Sequence, residues 1–125
     1  MELSSTFVVL GPDLAAVPVA VTPTVYEQLD RDFDGFKGRV LVARYAFDSD
    51  WPTWEIHPHG DEIVVLMAGR AEMILDESAG RRCVVLEKPG EFVIVPKATW
   101  HTARIAEPTS MLFVTPGEGT ENRAP

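Results

Sequence analysis

Few residues in this chain have the type and spacing to do chemistry. His57 and His59 flank Pro58, Glu62 follows closely, Glu55 sits just before them, and His101 lies in the second half of the sequence. Imidazole is the commonest protein ligand for transition metals, and a carboxylate completes a common donor set. On a strand, side chains at i and i+2 share a face, so His57 and His59 can point the same way. Where Glu62 falls depends on the turn. In one register Gly60-Asp61 is a two-residue turn, His59 faces Glu62, and the ligands are His57, His59 and Glu62. In the other, residues 58–61 form a four-residue loop, His57 faces Glu62, and the same face continues to Glu55 with His59 left in the loop. Both registers keep His57 and Glu62 together. On spacing alone, His101 reads equally as a ligand or as a half-buried histidine beside Trp100. Ser110 and Thr99 have no base arranged around them, so no catalytic nucleophile is assigned.

The elements that must position these residues read as short strands separated by turns, which predicts an all-β domain. Candidates are residues 7–10, 17–21, 39–47, 52–57, 62–68, 71–75, 82–86, 92–95, 100–105 and 111–115. Gly69-Arg70 reads as a two-residue hairpin, residues 76–80 as a longer loop, and Pro89-Gly90 as the centre of a type II turn, giving a meander of hairpins. One helical window, 23–33, has Thr24 and Glu27 at capping-box spacing and ends at Asp34-Gly35. Open strand edges invite aggregation, so the strands should close as a barrel or two stacked sheets. Residues 62–68 and 92–95 are apolar on both faces and predict burial on both sides, hence a homodimer. The aromatics and methionines Trp54, Met67, Met73, Phe92, Trp100, Met111 and Phe113 are candidate pocket-lining residues.

A chain of 125 residues suits a single domain. Its 11 Lys and Arg against 19 Asp and Glu leave no basic footprint for nucleic acid or an anionic membrane surface, so neither partner is expected. The lone cysteine, Cys83, forbids an intrachain disulfide, fits a reducing compartment, and reads as a small buried hydrophobe. No basic, apolar leader opens the sequence, and no window reaches the roughly 20 apolar residues that cross a bilayer, so a cytoplasmic protein is expected.

Residues 57–69, taken with residues 89–101, resemble the two motifs of the cupin superfamily. The first carries a His-x-His pair, a glutamate and a glycine; the second carries a glycine, Pro-x-Gly, a histidine and an asparagine. Here six residues separate Glu62 from Gly69, five separate Gly90 from Pro96, and His101 occupies the motif histidine position. The resemblance covers roughly residues 40–115. It departs at Ala98, which stands for the second motif's glycine, and at Ile105, which stands for its asparagine. Only two residues separate His59 from Glu62, against the family's three or four, whereas four separate His57 from Glu62. The resemblance therefore favours the second register, with Glu55 where the first histidine would stand. It implies a double-stranded β-helix, a small jelly-roll barrel, forming one domain over residues 1–125. The core is expected at about 38–116, with strands and a helix at 1–37 and a surface tail at 117–125. It implies a divalent metal ion (Fe, Mn, Zn or Ni) held by His57, His59, Glu62 and His101, with Glu55 as the alternative to His59. It also implies a small-molecule ligand in the barrel and a homodimer. The function expected is a metal-binding small cupin, a metal-dependent dioxygenase or isomerase, the alternative being a non-catalytic ligand-binding or sensor module.

Overall fold

Strand periodicity and turn chemistry produce two antiparallel sheets. A computed structural model describes the whole chain, residues 1–125. The strands are β1 (Thr6–Leu10), β2 (Ala16–Ala20), β3 (Val40–Phe47), β4 (Trp54–Ile56), β5 (Glu62–Ala68), β6 (Ala71–Glu77), β7 (Gly80–Leu86), β8 (Phe92–Val95), β9 (Trp100–Arg104), β10 (Thr109–Thr115) and β11 (Glu121–Arg123), with one helix, α1 (Val25–Asp32), between β2 and β3. One sheet has the order β2-β1-β3-β10-β5-β8 and the other β11-β4-β9-β6-β7. No helix is long and apolar enough to cross a membrane.

Alternation along the strands builds the core. Val64 and Leu66 of β5, Met73 and Leu75 of β6, and Met111 of β10 are fully buried between the sheets. A second cluster gathers Phe7, Val9, Leu41 and Ala43 under Val25 and Leu29 of α1. Each large apolar side chain buried this way contributes about 1.5–3 kcal/mol. Tyr45 packs against both clusters.

Several connections differ from the expected meander. β4 and β5 lie in different sheets, as do β5 and β6, so residues 57–61 and Gly69-Arg70 are crossings between sheets and not hairpins. The reason is coverage: a hairpin would lay both apolar faces on one side of one sheet, whereas a crossing turns Val64 and Leu66 toward Met73 and Leu75. The expected loop at 76–80 is instead a tight connection, with Glu77 paired to Gly80. The turn at Pro89-Gly90 is as expected: Glu91 N–H donates to Lys88 O at 3.0 Å, and Gly90 has φ +94°. Thr24 precedes the helix without a side-chain cap. The outer faces of β5 and β8 are not covered within the chain: Ile63, Met67, Phe92 and Ile94 are 37%, 42%, 58% and 48% exposed. Cys83 is exposed, because β7 is an edge strand, and its thiol donates to Glu72 at 3.1 Å. The segment expected to be a tail returns as β11 and pairs with β4.

Gly69 shows how tight the sheet crossing is. Its φ is +87°, and a Cβ there would stand 2.4 Å from Pro108 O. Gly69→Ala therefore combines backbone strain with a clash against main chain, and should cost at least about 2 kcal/mol in urea unfolding. An unchanged midpoint would contradict this reading of the turn.

Candidate metal centre

Both sheets contribute to one buried cluster. Glu55 of β4 lies opposite His101 of β9 in an antiparallel pair, so the two side chains share a face. His57, two residues beyond Glu55, continues that face. Glu62 opens β5 in the other sheet and is 2% exposed. The crossing between the sheets is tied to the loop before β9: Ala98 N–H donates to His57 O at 3.0 Å and Lys97 N–H to Asp61 Oδ1 at 2.7 Å. Ala98, at the motif's glycine position, adopts φ +58°.

The hydrogen bonds decide which way each imidazole presents its lone pair. His101 Nδ1 lies 3.0 Å from Thr99 O, which can only accept, so Nδ1 carries the proton. His57 Nδ1 lies 2.8 Å from Thr120 Oγ1, whose own hydroxyl donates to Gly117 O at 2.9 Å; here too Nδ1 donates. Both Nε2 atoms then face Glu62. His101 Nε2 is 3.1 Å from Glu62 Oε1, and His57 Nε2 is 3.3 Å from Oε2 and 3.8 Å from Glu55 Oε2. Thr115 donates to Glu62 Oε2 at 2.6 Å. These approaches lack hydrogen-bond alignment, so His57 Nε2, His101 Nε2 and Glu62 Oε1 are buried without a partner. Lone pairs facing a carboxylate repel unless a proton or a cation lies between them.

A divalent metal fits this donor set. Glu55, His57 and His101 place one ligand atom each within 4.8 Å of one another. Ligands at about 2.0–2.2 Å from an ion stand about 2.8–3.6 Å apart in octahedral or tetrahedral arrangement; the 3.1 and 3.3 Å separations to Glu62 fall in that range, and Glu55, 3.8 Å from His57 Nε2, stands slightly beyond it. The proton-bearing Nδ1 atoms bonded to Thr99 and Thr120 are the outer partners that metal-ligating histidines have.

Protons are the alternative occupant, and the charges respond to it. Burial favours a neutral Glu62, but the flanking imidazoles of His101 and His57 outweigh it and hold the carboxyl down to about 2. Burial disfavours a charged His101, yet the Glu62 carboxylate raises its pKa. Burial, and then the Glu62 charge, raise that of Glu55.

Beside the cluster lies a cavity of about 660 Å³, to which Glu55, His57 and Glu62 contribute. Of the aromatic and methionine residues expected to line a pocket, only Phe113 does; Met73 and Met111 are core, and Met67 and Phe92 face outward. His59 is not brought to the cluster. Its half-exposed ring lies 3.8 Å from Glu118, because residues 57–61 cross between sheets and carry it outward. Sequence reasoning missed Trp51, edge-on to His101 at 6.1 Å, and Thr120, which orients His57 from the far end of the chain.

The cupin domain model matches residues 45–115, more than half of the chain. The chain belongs to the cupin domain family. No curated protein matches this cupin in sequence. Solved structures similar to it include an oxalate oxidase (21% identity, TM-score 0.56, covering 65% of this chain and 44% of that one). A Bacillus subtilis oxalate decarboxylase is similar at 19% identity and TM-score 0.57, covering 68% of this chain and 23% of that one. A protein of Neisseria meningitidis follows at 18% and 0.51, covering 61% and 72%. The cupin thus spans less than half of either oxalate enzyme, and at these identities the likeness shows the fold, a jelly roll of two antiparallel sheets.

The raised pKa of His101 makes its charged form stabilising below the ordinary value of 6.5, a contribution lost as pH rises through the raised value. The depressed value of Glu62 contributes above 4.5 and is lost as pH falls toward 2. In metal-free protein, the thermal midpoint should therefore fall as pH rises above the ordinary histidine value of 6.5 and also on acidification below about 4.5. Calorimetry showing an unchanged midpoint on the alkaline side would contradict the pairing of His101 with Glu62.

Proposed function

We propose that this cupin holds a divalent metal ion through Glu55, His57, Glu62 and His101 and handles a small molecule in the adjoining cavity. The supporting observation is the convergence of three buried, unpartnered atoms, His57 Nε2, His101 Nε2 and Glu62 Oε1, with both Nδ1 protons already committed outward. Glu55 takes the place proposed from sequence for His59. Fe, Mn, Zn and Ni all suit imidazole and carboxylate donors. The similar Bacillus subtilis oxalate decarboxylase has Mn(II) centres, which supports Mn among them. When bound, the ion would supply Lewis acidity toward an oxygen of the ligand. The residues supply the rest: Thr99 and Thr120 fix the two imidazoles, and Thr115 holds Glu62. Dioxygenation and isomerisation are reactions that a metal and carboxylates support without a nucleophile. The whole chain works as one unit, since α1 and β11 both flank the cavity.

His101→Ala should abolish stoichiometric metal in tag-free protein measured by elemental analysis, while His59→Ala should leave occupancy intact. Thr120→Val, which frees the His57 ring, should weaken metal affinity about 10–100-fold. Loss of metal in His59→Ala with retention in His101→Ala would overturn the assignment.

We also propose that two copies pair through the outer faces of β5 and β8. Ile63 pairs with Ile94 and Val65 with Phe92, so exposed apolar side chains form a continuous band that a second copy could meet with the same band. Sedimentation should give a dimer at micromolar concentration and a monomer for Phe92→Asp/Ile94→Asp. A monomeric parent protein would contradict the proposal.

A further inference from the structure

The proposed site leaves open what occupies the cavity, and its walls narrow the answer. None of the 21 lining residues is Lys or Arg, whereas Asp30, Glu55 and Glu62 are all among them. A small dianion brought in here would lie among carboxylates with no lysine or arginine to pair with, a like-charge juxtaposition that disfavours it. A metal would not supply the missing charge. With Glu55 and Glu62 both as ligands, two carboxylates cancel a divalent ion. A glutamate in place of a histidine thus makes the centre one unit more negative.

What the wall does offer is aromatic surface. Phe47, Trp51 and Phe113 stand with ring centroids 5.6, 5.9 and 6.1 Å apart, and Tyr45 is 5.8 Å from Phe113, in tilted or edge-on contacts. Trp51 in turn meets His101. An apolar ring or branched chain can therefore bury against this wall while touching the side of the cavity that carries the carboxylates. Away from the carboxylates the polar handles are neutral. Tyr26 and Tyr45 hydrogen-bond through their hydroxyls; one bond uses one O–H, so the pair retains a second O–H to donate. Trp51 Nε1–H is buried with no partner. The free tyrosine O–H beside an aromatic wall suits a single oxygen acceptor on an apolar body.

We infer that the cavity takes an uncharged small molecule with an aromatic or branched aliphatic body and a hydroxyl or carbonyl oxygen, and that it discriminates against small dicarboxylates such as oxalate. The charge sum rests on the proposed metal ligands; the aromatic wall and the absence of lysine and arginine do not.

Isothermal titration calorimetry on the full chain, metal-free and Mn(II)-loaded, tests this with benzyl alcohol, indole and oxalate as probes. Both aromatic probes should saturate one site with a Kd at least about tenfold below that of oxalate, in either form of the protein. Asn122→Arg places a guanidinium at an exposed lining position and should improve oxalate binding at least about tenfold. Oxalate binding to loaded protein as tightly as the aromatic probes, or no saturation by either aromatic probe at millimolar concentration, would overturn the inference. The two proposals fail separately. Protein that takes up no Mn(II) but binds the aromatic probes removes the metal and keeps this inference, and protein that takes up Mn(II) but prefers oxalate does the reverse.

Discussion

A carboxylate buried against two imidazoles is the constraint around which this molecule is arranged. Glu62 is 2% exposed and His101 fully buried, and their facing atoms, 3.1 Å apart, are without hydrogen-bond partners. Charged groups are tolerated at such depth only when paired or bound to an ion. Much of the surrounding polar structure meets that requirement: the Thr99 carbonyl and Thr120 hydroxyl take the Nδ1 protons, and Thr115 takes the second oxygen of Glu62. Removing any one of them would leave either a free rotor or another orphaned group at the centre.

The two-sheet architecture follows from the same need. The donors come from β4 and β9 in one sheet and from β5 in the other, so they meet only because the chain crosses between sheets at residues 57–61. Two hydrogen bonds from main-chain amides, Ala98 to the His57 carbonyl and Lys97 to the Asp61 carboxylate, lock that crossing to the loop that delivers His101. The C-terminal segment closes the arrangement. Arg123 of β11 lies over the Trp100 ring at 4.4 Å and pairs with Asp76 at 3.3 Å, anchoring the segment that carries Thr120.

The strands were legible in the sequence because short apolar, β-branched runs bounded by turn residues survive as strands; residues 62–68 and 92–95 match β5 and β8 to the residue. Pairing was less legible. Gly69-Arg70 looks the same whether the next strand pairs or crosses, and only the tertiary requirement that Val64 face Met73 settles it. The short β11, Glu121-Asn122-Arg123, has no apolar alternation, and Thr120 caps a histidine 63 residues away, so neither had a local signature. His57, Glu62 and His101 could be singled out because both halves of the cupin pattern contain them. The choice between Glu55 and His59 depended on where the chain turns, which composition does not encode. The apolar outer face of β5 was visible as a pattern, but its exposure in the single chain was not.

The central claim is that both imidazoles present Nε2 inward to a divalent ion and Nδ1–H outward. Long-range 15N–1H correlation spectra of the three imidazoles during Zn(II) titration test it most directly, because they distinguish the two ring nitrogens. The expected result is a shift of the Nε2 resonances of His57 and His101 at one equivalent, with Nδ1 still protonated and His59 unmoved. Ligation through Nδ1, or a response confined to His59, would contradict it.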